Sequence, residues 1–278
     1  MKTWLITGCS SGFGKSLAQA VLERGWNCIV TARKPEILQE FKNKYPKTSL
    51  ILSLDVTDKE SIQKAVDTAI KHYGKIDVVV NNAGYCLRGA VEECTTEEIM
   101  RQFDTNLFGP INVIKSVLPY MRKEKEGAII NISSVAAFAA SEGSAYYGSS
   151  KAALESLSDG LRKEVTPLGI KVMIVEPGPF KSNFYNRSIE INETNIEDYK
   201  NTAAKRKVKL DNLDASVIYK WGDTDKAASA IIKAISGETH PYRLLLGSFA
   251  LNISDFILNE KRAELDLWRD LSVVTDLE

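Results

Sequence analysis

A chain of 278 residues, 44% of them hydrophobic, is long enough to bury the core of one large domain. Its 36 basic and 36 acidic residues cancel, so no global field draws it to nucleic acid or to a membrane surface, and any charged ligand must be recognised locally. Two histidines and four cysteines (Cys9, Cys28, Cys86, Cys94) without paired spacing point away from a metal site, a serine–histidine triad or a disulfide framework, and toward a reduced, cytoplasmic protein.

Only Met1 and Lys2 precede the first apolar run, TWLIT, so no signal peptide is expected, and no stretch reads as long and apolar enough to span a membrane. The run is followed by TGCSSGFG, Thr7 to Gly14, and then by the helical pattern KSLAQAVLERG. Gly8, Gly12 and Gly14 allow a tight turn and a close backbone approach, Ser10 and Ser11 add hydroxyl donors, and a helix amino terminus offers oriented N–H groups to a pyrophosphate. By itself such a turn also reads as packing geometry.

The second run, NCIVTA, ends at Ala32 and Arg33, where an acid would favour a bare ribose hydroxyl and an arginine pairs with a 2′-phosphate; Lys34 can share that work. This predicts NADP(H) over NAD(H). The third, SLILSL, leads to Asp55 and Val56, and Asp55 either accepts from an adenine amino group or helps cap the next helix. Thr57 with Glu60 and Thr95 with Glu98 have the spacing of reciprocal helix caps. DVVVN, GAIINIS, KVMIVE and YRLLLG complete seven strand-like runs separated by helical patterns of about 12 to 20 residues. That alternation predicts a doubly wound, mostly parallel α/β sheet with helices on both faces, in a single domain.

The alternation breaks between about residues 178 and 225, a stretch read as a partly helical insertion that covers the substrate. From about residue 249 the helical period through Phe256, Leu258, Leu265 and Trp268 predicts a docked C-terminal helix.

Within YYGSSK, Tyr147 and Lys151 stand at i and i+4 and share one helix face, so an ammonium can lie near the phenol oxygen and favour phenolate. Bringing a phenol from pH 10 toward neutrality needs roughly 3 to 4 kcal/mol, about what one charge at ~4 Å supplies at an effective dielectric near 20. Tyr146 faces elsewhere, its i+4 partner being Ser150. An isolated pair of this kind is more often a surface pair. Asn106, in FDTNLFG, is a poor choice for a helix interior, and Ser133 and Ser134 end the fifth run.

Taken together, TGCSSGFG, NNAG (Asn81 to Gly84), Asn106, NISS (Asn131 to Ser134) and Tyr147-x3-Lys151 resemble, in order and spacing, the classical short-chain dehydrogenase/reductase family over about residues 2 to 185. The resemblance implies a Rossmann-type sheet and hydride transfer between a nicotinamide and a carbonyl or secondary alcohol carbon. It implies Tyr147 as general acid/base, Ser134 rather than Ser133 as the group that polarises the substrate oxygen, and Asn106 holding a water that links Lys151 to solvent. Gly8, Ser10, Ser11, Gly12, Phe13, Gly14, Arg33, Asp55, Val56, Asn82, Ala83 and Gly84 would line the adenosine and phosphate end. Tyr147, Lys151, Pro177, Gly178 and Ser182 would lie by the nicotinamide, Ser182 standing where the family commonly has threonine. The family habit also favours a homo-oligomer, dimer or tetramer.

Small and aromatic residues in VAAFAASEGSAY, with Phe180, Phe184 and Tyr185, suit a bulky apolar alcohol or ketone, steroid-, retinoid- or aryl-ketone-like, or else pack the insertion onto the core. The run Lys200, Lys205, Arg206, Lys207 and Lys209 reads as a solvated basic face or a receiver for an anionic tail. A non-catalytic, NADP(H)-sensing protein on the same fold is the alternative to an enzyme.

Overall fold

The computed structural model describes residues 1–207 and 220–277. Among the described residues the strands run in chain order: β1 (Thr3–Ile6), β2 (Asn27–Ala32), β3 (Ser49–Ser53), β4 (Val78–Asn81), β5 (Cys86–Arg88), β6 (Gly127–Ile132), β7 (Ile170–Pro177), β8 (Ile189–Ile191) and β9 (Arg243–Leu246). The helices are α1 (Gly12–Glu23), α2 (Gln39–Lys44), α3 (Lys59–Tyr73), α4 (Thr96–Phe103), α5 (Gly109–Glu124), α6 (Ala145–Val165), α7 (Phe184–Arg187), α8 (Thr224–Ser236), α9 (Ser248–Leu267) and α10 (Arg269–Val273).

Seven strands form one parallel sheet in the order β3-β2-β1-β4-β6-β7-β9. These are the seven apolar runs. The inner strands and β2 bury both faces, which is why they read as continuous apolar sequence, while the edge strands β3 and β9 are partly exposed: Trp4 and Ile6 pack on the side of α1 and α8, while Leu5 between them packs on the side of α3, α5 and α6. The chain winds outward from β1 to β3, then returns across the sheet to β4. That reversal places a crevice beyond the carboxyl ends of β1 and β4, where open α/β sheets bind ligands.

The predicted Thr95–Glu98 cap forms at the start of α4, with both reciprocal hydrogen bonds. At α3 the cap shifts by one residue: Asp58, not Thr57, accepts from the N–H groups of Glu60 and Ser61, because a carboxylate one position nearer the helix reaches both.

Two short strands lie outside the main sheet. β5 follows NNAG and pairs in parallel with β8, so the first part of the insertion is stitched to the cleft wall. The described part of the insertion is mostly turns, α7 and β8, and Lys209 of the basic run lies outside the described residues. The C-terminal helix forms, but the docking expected of its apolar residues does not. Phe256, Leu258, Leu265 and Trp268 are each more than half exposed, and only Ala250 of α9 is buried. Helical period specifies a helix, not which face meets the body. Among the described residues, no helix is long and apolar enough to cross a membrane.

Candidate active site

The carboxyl end of β1 opens into a turn that only glycine fits. Gly8 and Gly12 have φ of +72° and +58°, and a Cβ on Gly8 would meet the Ala83 Cα at 2.9 Å. Asn82 sets the turn from the neighbouring strand end: its Nδ2 donates to the carbonyls of Thr7 and Gly8 at 2.8 and 3.0 Å, while the Thr7 hydroxyl accepts from the N–H groups of Asn82 and Ala83 at 3.0 Å each. Gly14 lies beneath this brace, and a methyl there would collide with Asn82 Nδ2 and, at 2.5 Å, with the Gly8 carbonyl. Gly14→Ala is therefore expected to cost about 1–3 kcal/mol and to weaken nicotinamide-dinucleotide affinity; thermal melting and a binding titration check both.

The same turn leaves a cradle suited to a diphosphate. Ser11 caps α1 with no side-chain cap hydrogen bond, the first turn of α1 carries no acid, and Ser182 reaches over from the insertion to within 3.6 Å of where a Gly12 Cβ would stand. Arg33 is exposed at the rim of the cleft, and among the described residues it forms no ion pair. Asp55 accepts from the N–H and the hydroxyl of Thr57 at 2.9 and 2.8 Å through one oxygen, which shapes the approach to α3 and, among the described residues, leaves its second oxygen without a hydrogen bond. Val56 is buried against Gly109. Phe13 packs against Phe180, ring centroids 4.8 Å apart.

At the other end of the cleft, α6 presents Tyr147 and Lys151 beside Ser134. The Lys151 ammonium is buried and donates to the Ile132 carbonyl at 2.8 Å, 5.9 Å from the centre of the Tyr147 ring. Burial lowers its pKa to about 8, against the opposing pull of Glu155 and Cys86. Tyr147 behaves otherwise than its spacing predicts. Burial pushes its phenol above the ordinary range, with Cys86 adding to the rise and only the Ser134 hydrogen bond opposing it. The nearby cation does not overcome this, because Lys151 spends its ammonium on a β6 carbonyl. The chain's own groups thus hold Tyr147 as a neutral proton donor.

The two serines are separated by their partners. Ser133 donates to the Glu155 carboxylate at 2.6 Å and is spoken for, whereas Ser134 caps a short turn, accepting from Ala136 N–H at 3.1 Å, and meets Tyr147. Asn106 sits, fully buried, in a single π-helical turn over Asp104–Phe108 between α4 and α5. Its side-chain amide clamps the backbone of Tyr85, accepting from N–H at 3.1 Å and donating to C=O at 2.9 Å, and donates to Ser150 at 3.2 Å. Its carbonyl oxygen and Lys151 Nζ both face Gly84, at 3.1 and 3.5 Å from a Cβ built there, so a side chain at 84 would part them. Tyr146 points away and donates to the Val91 carbonyl.

These ends meet in one cleft of about 1450 Å3. Pro177 and Gly178 end β7 on its floor, Gly178 N–H donating to the Leu246 carbonyl at 3.0 Å. One wall is aromatic: Phe184 lies 6.3 Å from Tyr147, Tyr185 5.8 Å from Phe184, and Trp221 5.1 Å from Tyr185. Phe180 also lines the cleft, most of its ring buried against Phe13 and close to Gly222. Trp221 and Phe249 line the cleft without having been read from the sequence; a lone tryptophan just after a polar stretch was the available signal for the first.

A model of the short chain dehydrogenase family matches residues 2–193. The chain belongs to that family. This dehydrogenase/reductase is similar to a 3-ketodihydrosphingosine reductase of Bacteroides thetaiotaomicron, 38% identical over 245 residues and 87% of each chain. Among solved structures it is similar to a short-chain dehydrogenase from Streptomyces avermitilis, with a TM-score of 0.91, 39% identity and coverage of 99% of this chain and 98% of that one. It is also similar to ElxO, solved with NADP bound, with a TM-score of 0.74, 28% identity and coverage of 90% and 99%. The chain is thus an oxidoreductase acting on CH–OH or C=O groups, built on a nicotinamide-dinucleotide-binding fold.

Proposed function

We propose that this enzyme is an NADP(H)-dependent reductase of bulky apolar carbonyl compounds, with Tyr147 as general acid. The observation that carries the reading is the Ser134 hydroxyl set beside the buried Tyr147 phenol in the cleft that Pro177 and Gly178 also line, with the phenol kept protonated by burial. A nicotinamide bound in the cleft supplies the hydride. Tyr147 donates its proton to the substrate oxygen as negative charge develops there, and the Ser134 hydroxyl donates a second hydrogen bond to the same oxygen. Lys151 secures the Ile132 carbonyl next to Ser134 and keeps positive charge beside the phenol. Asn106 keeps Tyr85 and Ser150 in register with α6.

Preference for the 2′-phosphate rests on Arg33, a rim guanidinium with no acid paired to it among the described residues and no acidic residue at the end of β2. Arg33→Ala is expected to weaken NADPH binding by about 10- to 100-fold, the value of a charge-assisted pair, and to leave NADH binding nearly unchanged. Fluorescence titration with both cofactors checks this, and equal losses would remove Arg33 from the phosphate. The substrate class rests on the Phe184–Tyr185–Trp221 wall, and the similar reductase is named for a keto compound, 3-ketodihydrosphingosine. NADPH consumption across a library of ketones of graded size tests the whole reading: turnover rising with apolar bulk supports it, and tight NADPH binding with no turnover of any carbonyl would leave a sensor instead.

A further inference from the structure

Behind Ser134 and Lys151 lies a charged cluster that the reaction described above does not use. Glu155, one turn beyond Lys151 on α6, is 7% exposed, and Glu176, the residue before Pro177 on β7, is 2% exposed. A single guanidinium nitrogen of Arg243, on β9, donates to both carboxylates. The other Glu155 oxygen accepts from the Ser133 hydroxyl, and the Tyr242 hydroxyl donates to the Glu155 backbone carbonyl at 3.4 Å. Four elements that each carry a piece of the candidate site, α6, β6, β7 and the start of the segment leading to Phe249, are therefore tied at one carboxylate. Buried charge is costly unless paired, and here two buried acids share one cation.

We propose that Glu155 is a positioning residue of the active site: through Ser133 it fixes the end of β6 so that Ser134 meets Tyr147, and from one turn along α6 it supplies the counter-charge for the Lys151 ammonium. The proposal rests on the catalytic reading of Ser134, Tyr147 and Lys151. Two other groups face Lys151: Tyr147 from its own helix, held neutral, and Cys86 from β5, whose thiol burial pushes up to about 11. Cys86 is thus also neutral near pH 7, and Asn106 and the Ile132 carbonyl carry no net charge. Glu155, one turn along the same helix, is therefore the acid placed to oppose the loss of the Lys151 proton, and of the named influences on Lys151 it is the larger of the two that raise its pKa. Behind it, Arg243 and Glu176 face Glu155, not Lys151, and burial beside Glu155 raises the Glu176 carboxyl.

The electrostatic half is read at Lys151 directly and needs no substrate. The full chain, labelled with 13C at lysine Cε, is titrated by NMR, and the Lys151 signal is identified by its loss in Lys151→Arg. The wild-type midpoint is expected near 8. Glu155→Gln is expected to lower it by about one pH unit, a roughly tenfold shift in the protonation equilibrium, while Glu155→Asp, which keeps the charge, restores it to within a few tenths. An unmoved or raised midpoint in a folded Glu155→Gln variant overturns the electrostatic half. The positioning half is read in Ser133→Ala, which removes the hydrogen bond and no charge: kcat is expected to fall about tenfold with the KM for NADPH unchanged and the Lys151 midpoint unmoved. Wild-type kcat in Ser133→Ala overturns it. If Glu155→Gln does not fold, Glu155→Asp and Ser133→Ala still decide, since an Asp variant with a midpoint shifted as far as one unit contradicts a charge held in place at this position. An enzyme that turns over no carbonyl defeats the catalytic reading alone, because the Lys151 titration stands apart from it.

Discussion

Tyr147→Phe is expected to lower turnover of any carbonyl substrate by 10²- to 10⁴-fold, the usual worth of a positioned general acid, while NADPH affinity stays within about twofold of wild type. Phe keeps the ring that packs 6.3 Å from Phe184 and removes only the hydroxyl that pairs with Ser134. That hydroxyl combines a labile proton, a buried setting that keeps it protonated, and a serine hydroxyl at its side. Stability should hardly change, because the lost hydrogen bond and the relieved desolvation of the phenol oppose each other. Stopped-flow NADPH oxidation, with a parallel binding titration, separates the chemical loss from any loss of cofactor. A variant that retained more than a tenth of the wild-type rate would transfer the acid role to another group.

Lys151→Met carries the second large expectation, a loss of turnover on the order of 10²-fold or more, with a stability signature of its own. The ammonium is 5% exposed, and its pKa falls from an ordinary 10.5 to about 8 on folding. Between those values the folded protein binds fewer protons than the unfolded chain, so this group makes stability rise with pH across that window. Below about pH 8 the buried cation costs on the order of 3 kcal/mol, partly offset by its bond to Ile132. Wild type should accordingly gain stability relative to Lys151→Met as pH rises from 8 to 10.5, and the difference between the two should be flat below 8. Denaturant melts over that range check the slope. A difference that stays level throughout would mean that Lys151 is not buried as a cation.

How much of this was legible before the fold was known follows from what burial does to sequence. Strands covered on both faces must be apolar throughout, so TWLIT, NCIVTA and GAIINIS announce themselves, and glycines that cannot bear a Cβ, Gly8 and Gly14 among them, mark the turn between strand and helix. Tyr147 and Lys151 were legible because a helix brings i and i+4 together whatever else surrounds them. The direction of the phenol's pKa was not, because it depends on how deeply the oxygen is buried and on where Lys151 donates, and both are set by β6. Glu155 drew no reading from the sequence, because its cation, Arg243, stands 88 residues further along the chain. Trp221 joins the aromatic wall from beyond the insertion, and only the folded chain brings it to Tyr185. The apolar residues of α9 misled in the opposite sense, since periodicity there was read as docking and most of that face is open to solvent.

Hydride transfer by this site is tested most directly by following an isotope. NADPH bearing deuterium at the nicotinamide C4 is incubated with the wild-type protein and a bulky aryl ketone, and the product is analysed for label at the carbinol carbon, with Tyr147→Phe run beside it. The expected result is one deuterium at that carbon in the wild-type product and a yield at least a hundredfold lower from the variant at equal cofactor occupancy. Label appearing equally fast in both, or saturating NADPH binding with no labelled alcohol from wild type across the ketone library, would contradict the mechanism.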